Sequence, residues 1–365
     1  MNPNIDELIN PNIKDIHPYN PGRPHREQKR ELGLRNSTRV SSNENNLGPS
    51  QKAVEAIADH LGEIHRYPEG NCFYLKTRLA EKLGMAAEQL IFGNGSDELI
   101  GFICRSFLNP GEEFIQAPPT FPVYGLAAQE AGGLETPVPM KDFHHDLEAM
   151  AERISSRTKL VFICTPNNPT GTIVKRDDFR RFMSAVPERV IVVIDEAYTE
   201  FTDGPDHPDF LEYIRRGRYL ITMRTFSKFY GLAGLRIGYA VAHPEIIGYL
   251  NLVRMPFNVN ILAQAAALGA LDDEEYQRKT LELVREGKAF FYREFDRLGI
   301  KYVPTCANFI LFDTRKPGRE IYEKMLHDGI FGRMMGVYRL PTYLRLTFGT
   351  REENQAVIKS LVKYL

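Results

Sequence analysis

Two unbroken apolar runs, Leu-Val-Phe-Ile-Cys at 160–164 and Val-Ile-Val-Val-Ile at 190–194, constrain the fold of this chain more than any other feature. A strand with one wet face alternates apolar and polar residues. These runs do not, so both of their faces are expected to be covered, which makes them central strands. Further strand candidates at 89–92, 113–117, 219–223 and 237–241 are separated mostly by helical patterns. Such alternation predicts an α/β fold with a mainly parallel sheet covered by helices on both sides.

The ends of the chain read differently. A Pro/Asn-rich arm to about residue 35 precedes a short strand at 39–42, and Pro49-Ser50 opens a helix to about residue 61. From about residue 260 one long helical stretch leads to strands at 308–312 and 344–348. We therefore expect an arm at 1–45 that packs with a small α+β domain at 259–365, and a large domain at 46–258. A chain of 365 residues is long enough for two cores.

Charge and composition exclude several classes of partner. Lys plus Arg (46) balances Asp plus Glu (47), so no basic field spreads over the surface to attract nucleic acid or an anionic membrane. No stretch approaches the roughly 20 apolar residues that span a bilayer, and the first residues lack the pattern of a secretory signal. Cys72, Cys104, Cys164 and Cys306 show no CxxC spacing, and the last three lie in apolar surroundings expected to bury them reduced. A cytoplasmic protein acting on small molecules is the expectation. The nine histidines form no HExxH motif, and His144-His145 is expected in a solvated loop, so no metal is predicted.

The chemistry begins at Thr225-Phe226-Ser227-Lys228, with Arg236 eight residues beyond the lysine. The apolar run before it places Lys228 just past a strand end, where open α/β sheets hold their ligands. An amine there can form a Schiff base with a cofactor aldehyde, while Thr225, Ser227 and Arg236 suit a phosphate. Together they point to pyridoxal 5'-phosphate. A lone Ser-Lys pair is more often a surface turn, and the weight comes from the company it keeps.

Asp195 ends a buried strand, where an unpaired carboxylate is costly. A protonated pyridine nitrogen would compensate it and become an electron sink; the plainer alternative is a helix cap. Tyr198 and Asn168, the latter in the turn Asn168-Pro169-Thr170-Gly171, can donate to a ring phenolate. In Gly93-Asn94-Gly95-Ser96-Asp97-Glu98, the glycines admit close backbone approach and a helix N-terminus offers N–H groups to a phosphate. The alternative there is Ser96 or Asp97 as a plain N-cap. Neither GxGxxG nor GxxxxGK[ST] occurs, so a nucleotide is disfavoured. Phe121 can lie on a flat ring or simply pack. Arg345 is shaped to hold a carboxylate, and Arg333 to hold a second anion, with Arg339 equally near in sequence.

These residues sit in HPYNPG, SSNENNLGPS, HRYPEG, GNGSDE, APPTFPVYG, TPNNPTG, DEAYTEF, TFSKFYGLAGLRIGY, RMPFNVN, CANFILF and LRLTFGTREEN, in that order along nearly the whole chain. The set resembles the fold-type I aminotransferases, most closely their histidinol-phosphate aminotransferase family. The resemblance implies a seven-stranded, mostly parallel sheet in the large domain. Lys228 matches the Schiff-base lysine, Asp195 the partner of the pyridinium, Tyr198 and Asn168 the phenolate donors, and Phe121 the stacking aromatic. Gly95, Ser96, Asp97, Thr225, Ser227 and Arg236 match the phosphate cup. Tyr67 matches a tyrosine reaching that phosphate from a second subunit, implying a homodimer with shared sites. Tyr19, Asn43, Arg333 and Arg345 match substrate-binding positions. Three residues depart from the pattern: Phe121 where many relatives have tyrosine, Asn46 where NENP has proline, and Arg339 where glycine is common.

The reaction so implied is a ping-pong transamination between L-histidinol phosphate and 2-oxoglutarate, giving imidazole-acetol phosphate and L-glutamate. Rivals on the same scaffold are an aromatic amino acid aminotransferase and a threonine-phosphate decarboxylase-like lyase. A non-catalytic cofactor-binding or scaffolding protein is a third reading, opposed by the joint presence of Lys228, Asp195 and Arg345.

Overall fold

The computed structural model describes residues 4–18, 22–202 and 204–365. Its strands in chain order are β1 (Thr38–Arg39), β2 (Leu90–Gly93), β3 (Glu113–Gln116), β4 (Leu134–Pro137), β5 (Thr158–Cys164), β6 (Ile191–Asp195), β7 (Leu220–Thr225), β8 (Gly238–Val241), β9 (Tyr302–Val303), β10 (Phe309–Asp313), β11 (Ile330–Phe331), β12 (Arg333–Met334) and β13 (Tyr343–Thr347). Seven of them form one sheet in the order β2-β8-β7-β6-β5-β3-β4. All neighbours are parallel except β8, which runs antiparallel to both β7 and β2. Six strands therefore end at the same edge, and the turns that follow them open together on one side.

The apolar runs sit at the centre of this sheet. Along β5, Val161 and Ile163 join the hydrophobic cluster on one face, while Leu160, Phe162 and Cys164 join the cluster on the other. Every side chain of these runs is buried except the half-buried Ile191, which is why no polar alternation exists to be read. The expected strands appear with ends shifted by one or two residues, except that the one expected at 39–42 is only Thr38–Arg39. β4 was not expected: its residues are largely exposed and include Pro137, as suits a sheet edge.

A second sheet, β12-β13-β10-β9, is antiparallel throughout. The single long helical stretch expected after residue 260 is two helices, Ile261–Leu271 and Glu274–Leu298. Asp273 breaks it by accepting a hydrogen bond from the Tyr276 N–H at 3.1 Å, an N-cap hidden within an acidic run. Ser50 caps the helix Gln51–His60 in the same way and also donates to Asp273 at 2.7 Å. Upstream, β1 pairs in parallel with β11, and the Thr347 N–H donates to the Val40 carbonyl at 2.8 Å. The chain then runs through residues 41–46 towards the helix Gln51–His60.

Two smaller expectations are corrected. Cys306 is only half-buried, whereas Cys72 is buried. His144 is exposed as expected, but His145 is half-buried: its Nε2–H donates to the Cys164 carbonyl at 2.9 Å, and burial lowers its pKa to about 4. No helix among the described residues is long and apolar enough to cross a membrane, and no group of three or more His, Cys, Asp or Glu among them is arranged to hold a metal.

Candidate active site

A cavity of about 280 Å³ opens at the shared strand edge, where the turns after β2, β3, β5, β6 and β7 meet the segment 41–44 and the small sheet. Ser96, Asp97, Phe121, Asn168, Asp195, Tyr198, Thr225, Ser227, Lys228 and Arg236 line it, joined by Asn43, Arg333 and Arg345. Residues 302 positions apart in sequence, Asn43 and Arg345, thus face one space.

At one end lie the hydroxyls and the guanidinium. The helix Ser96–Phe107 starts at the cavity with Gly95 in the N-cap position, and no side chain caps it. Ser96 and Asp97 are therefore its first residues, not its caps, and its unpaired N–H groups remain suited to an anion. Arg236, at φ 56°, lays its guanidinium against Asp97 (3.3 Å) and the Ala233 carbonyl (3.1 Å). Gly95 does not line the cavity; it is needed beside it. Its own φ is +85°, and a Cβ there would collide with Arg236.

Asp195 lies deeper, 4% exposed. Its Oδ1 accepts the Ala197 N–H at 3.0 Å and its Oδ2 accepts the Tyr124 hydroxyl at 2.6 Å. Burial raises its pKa to about 6, against the opposing pull of these two donors. The cap reading of Asp195 is thereby narrowed to a local turn, because only a three-residue 3-10 helix, Thr199–Phe201, follows. Tyr198 is buried too, and its oxygen accepts from Asn43 Nδ2 at 2.8 Å. That leaves the Tyr198 proton free to be donated into the cavity. Asn43 itself holds a left-handed φ of 55°, which asparagine tolerates better than most residues.

Lys228 follows β7 and donates from Nζ to the Ser42 carbonyl at 2.9 Å. Burial first, then the charge of Arg345, lowers its pKa to about 8. Arg345, on β13, is buried, reaches Asn168 Oδ1 and the Ser41 carbonyl (2.8 Å), and lies over the Phe309 ring at 5.2 Å. Its Nε is buried without a hydrogen-bond partner. Arg333 is the register partner of Arg345 across the small sheet, which sets two guanidinium groups on neighbouring strands beside the cavity.

The donor set fits the cofactor that the sequence leads one to expect. It offers hydroxyls, a helix N-terminus and a guanidinium for a phosphate, a buried carboxylate for a protonated ring nitrogen, and an amine between them. Phe121 lines the wall, edge-on to Tyr124 at 5.6 Å. Two residues singled out in the sequence, Tyr67 and Arg339, are not brought in. Tyr67 is 81% exposed and stacks on Phe257 at 4.7 Å, outside the cavity of its own chain. Arg339 is not among the lining residues; its left-handed φ of 60° explains why glycine suits that place. Tyr19 lies outside the described residues. Asn46, the third departure, donates to Glu353 at 2.6 Å, a bond a proline could not make.

Sequence reasoning missed Tyr124 and the carbonyls of Ser41 and Ser42. A tyrosine in a helical pattern reads as packing, and a backbone carbonyl leaves no signal in residue type.

Comparison with known proteins agrees with this arrangement. A family model described as "Aminotransferase class I and II" matches residues 35–361. A histidinol-phosphate aminotransferase of Moorella thermoacetica is 49% identical, over 97% of this chain and 92% of that one. One from Caldicellulosiruptor saccharolyticus is 45% identical, over 97% of this chain and 99% of its own length. The solved structure of histidinol-phosphate aminotransferase from Sinorhizobium meliloti in complex with pyridoxal-5'-phosphate superposes with a TM-score of 0.90 at 28% identity, covering 97% of this chain and 96% of that one.

Proposed function

The chain belongs to the class I and II aminotransferases, and from that premise we propose that it is a pyridoxal-5'-phosphate-dependent transaminase acting in histidine biosynthesis. It exchanges the amino group between L-histidinol phosphate and 2-oxoglutarate, giving imidazole-acetol phosphate and L-glutamate. The observation that carries this reading is the single cavity in which Lys228, Asp195 and two arginines of the small sheet, Arg333 and Arg345, converge.

In this reading Ser96, Thr225, Ser227 and Arg236 hold the cofactor phosphate, with Gly95 leaving room for Arg236 and Asp97 orienting it. Phe121 would cover the ring, Asn168 and Tyr198 would hold its oxygen, and Asp195 would pair with its nitrogen. When bound, the cofactor supplies the electron sink that makes the substrate α-proton acidic. Lys228 Nζ, whose pKa is lowered to about 8, would take and return that proton. Arg345 orients a substrate carboxylate and Asn43 lines the substrate space, while Arg333, with Tyr19, meets the phosphate-bearing end. The adjacent guanidinium groups account for one pocket accepting both glutamate and a phosphate ester.

The same reading includes a homodimer in the cytoplasm. Ile64, Tyr67, Phe73, Tyr74, Leu252 and Met255 are all more than half exposed, a density of apolar surface that a second copy would cover. Tyr67 would then reach the partner's phosphate site. The division into arm (1–45), large domain (46–258) and small domain (259–365) is part of the proposal.

A half-reaction screen tests it. Protein loaded with pyridoxal phosphate is mixed with one amine at a time, and the visible band is followed. Histidinol phosphate and glutamate should each convert the cofactor to its amine form, histidinol phosphate faster than phenylalanine. A faster reaction with phenylalanine would move the assignment to aromatic amino acids, and carbon dioxide release from threonine phosphate would move it to a lyase.

A further inference from the structure

We propose that Tyr124 is a positioning residue for Asp195, holding one carboxylate oxygen so that the group stays an acceptor aimed at the ring nitrogen of the cofactor. The inference rests on the reading of Asp195 as the partner of that nitrogen. It goes beyond it in assigning a task to a side chain that does not line the cavity.

Tyr124 sits in the helix Val123–Glu130 and is 1% exposed. Its ring is clamped, stacked on Phe162 at 5.1 Å with 9° between planes and edge-on to Phe121 at 5.6 Å. The position of its hydroxyl oxygen is therefore set by packing, and the O–H turns to the carboxylate it meets. The 2.6 Å separation from Asp195 Oδ2 is that of a hydroxyl donating to an ionised carboxylate. With Ala197 N–H on Oδ1, both oxygens are tethered and the carboxylate plane is fixed. Asp195 faces the cavity while Tyr124 stands behind it.

The neighbours make the bond matter. Cys164 from β5, Asp97 from the helix Ser96–Phe107, and Glu196 and Tyr198 from its own segment surround Asp195, and the cations Lys228, Arg236, Arg333 and Arg345 line the same cavity. Desolvation, Asp97 and Glu196 all favour the neutral acid, whereas Tyr124 and the Ala197 N–H favour the anion. Removing the phenol hydrogen tilts that balance towards protonation. Tyr124→Phe keeps the ring and its packing and deletes the hydroxyl that serves Asp195 and also touches the Cys164 thiol.

The test compares wild type, Tyr124→Phe, Tyr124→His, Asp195→Asn and the double variant Tyr124→Phe/Asp195→Asn. For each, the affinity for pyridoxal phosphate is measured across pH by the visible band. The Phe variant should unfold with wild-type cooperativity, bind cofactor about 10-fold more weakly, and lose affinity on acidification about one pH unit earlier. Tyr124→His, which keeps an aromatic N–H donor, should recover part of both effects. The double variant should match Asp195→Asn alone. A Phe variant with unchanged affinity and acid limb, beside an altered Asp195→Asn, overturns the role of Tyr124. So does a Phe variant that fails to fold, since the bond would then serve folding, or a His variant no better than Phe. If Asp195→Asn itself leaves the cofactor's affinity and spectrum unchanged, the underlying reading of Asp195 fails instead.

Discussion

Lys228 Nζ and the Ser42 carbonyl oxygen are 2.9 Å apart, so the amine at the end of β7 is held by the segment arriving from the arm. Burial and Arg345 depress the lysine from its ordinary 10.5 to about 8. The folded chain thus favours the neutral amine: this group costs stability below pH 8, and the cost disappears as pH rises from 8 towards 10.5. Cofactor uptake by the apo-protein, followed as growth of the visible band, should rise with a midpoint near pH 8. A midpoint near that of free lysine would contradict the assignment.

Lys228→Ala should leave the fold intact, remove the visible band of covalently held cofactor, and lower turnover by at least ~10²–10⁴-fold, the usual contribution of a positioned proton-transfer group. Ordinary turnover in this variant would exclude Lys228 as the catalyst.

Gly95→Ala places a methyl group into Arg236 at a backbone conformation that L side chains rarely adopt. A stability loss of about 1–3 kcal/mol is expected from thermal or denaturant melts. Affinity should fall more for pyridoxal phosphate than for unphosphorylated pyridoxal; an equal fall would detach Arg236 from the phosphate.

Arg333→Ala tests the end of the cavity contributed by β12. Its kcat/KM should drop ~10-fold or more further for histidinol phosphate than for phenylalanine, since a charged hydrogen bond to phosphate is lost only in the first case. Equal losses would remove its role in phosphate recognition.

Leu252→Asp combined with Met255→Asp puts two charges on the exposed apolar surface near Phe257. Sedimentation should show a monomer with little activity, because each site would lack the Tyr67 of the other copy. A dimer of normal activity would place the interface elsewhere.

Much of this architecture was legible from residue order because its central strands are buried on both faces. Unbroken runs such as 160–164 mark them, and the turns that follow carry polar residues whose only common neighbour is the cavity. What escaped notice had physical reasons. β4 is an exposed edge whose polar residues resemble a loop. The break at Asp272-Asp273 is written in acidic residues inside a charged helix. Tyr124 acquires its meaning from a partner 71 positions away, and Ser41 and Ser42 contribute atoms that every residue possesses.

The segment at residues 41–43 also bears on how far the chain can be trimmed. Its carbonyls restrain Lys228 and Arg345, Asn43 steadies Tyr198, and β1 just upstream is zipped to β11. Deletion past Thr38 would unzip that pair and leave two cations from opposite halves of the molecule without their tether. N-terminal shortening is thus better stopped short of residue 38 than carried to the start of the first long helix.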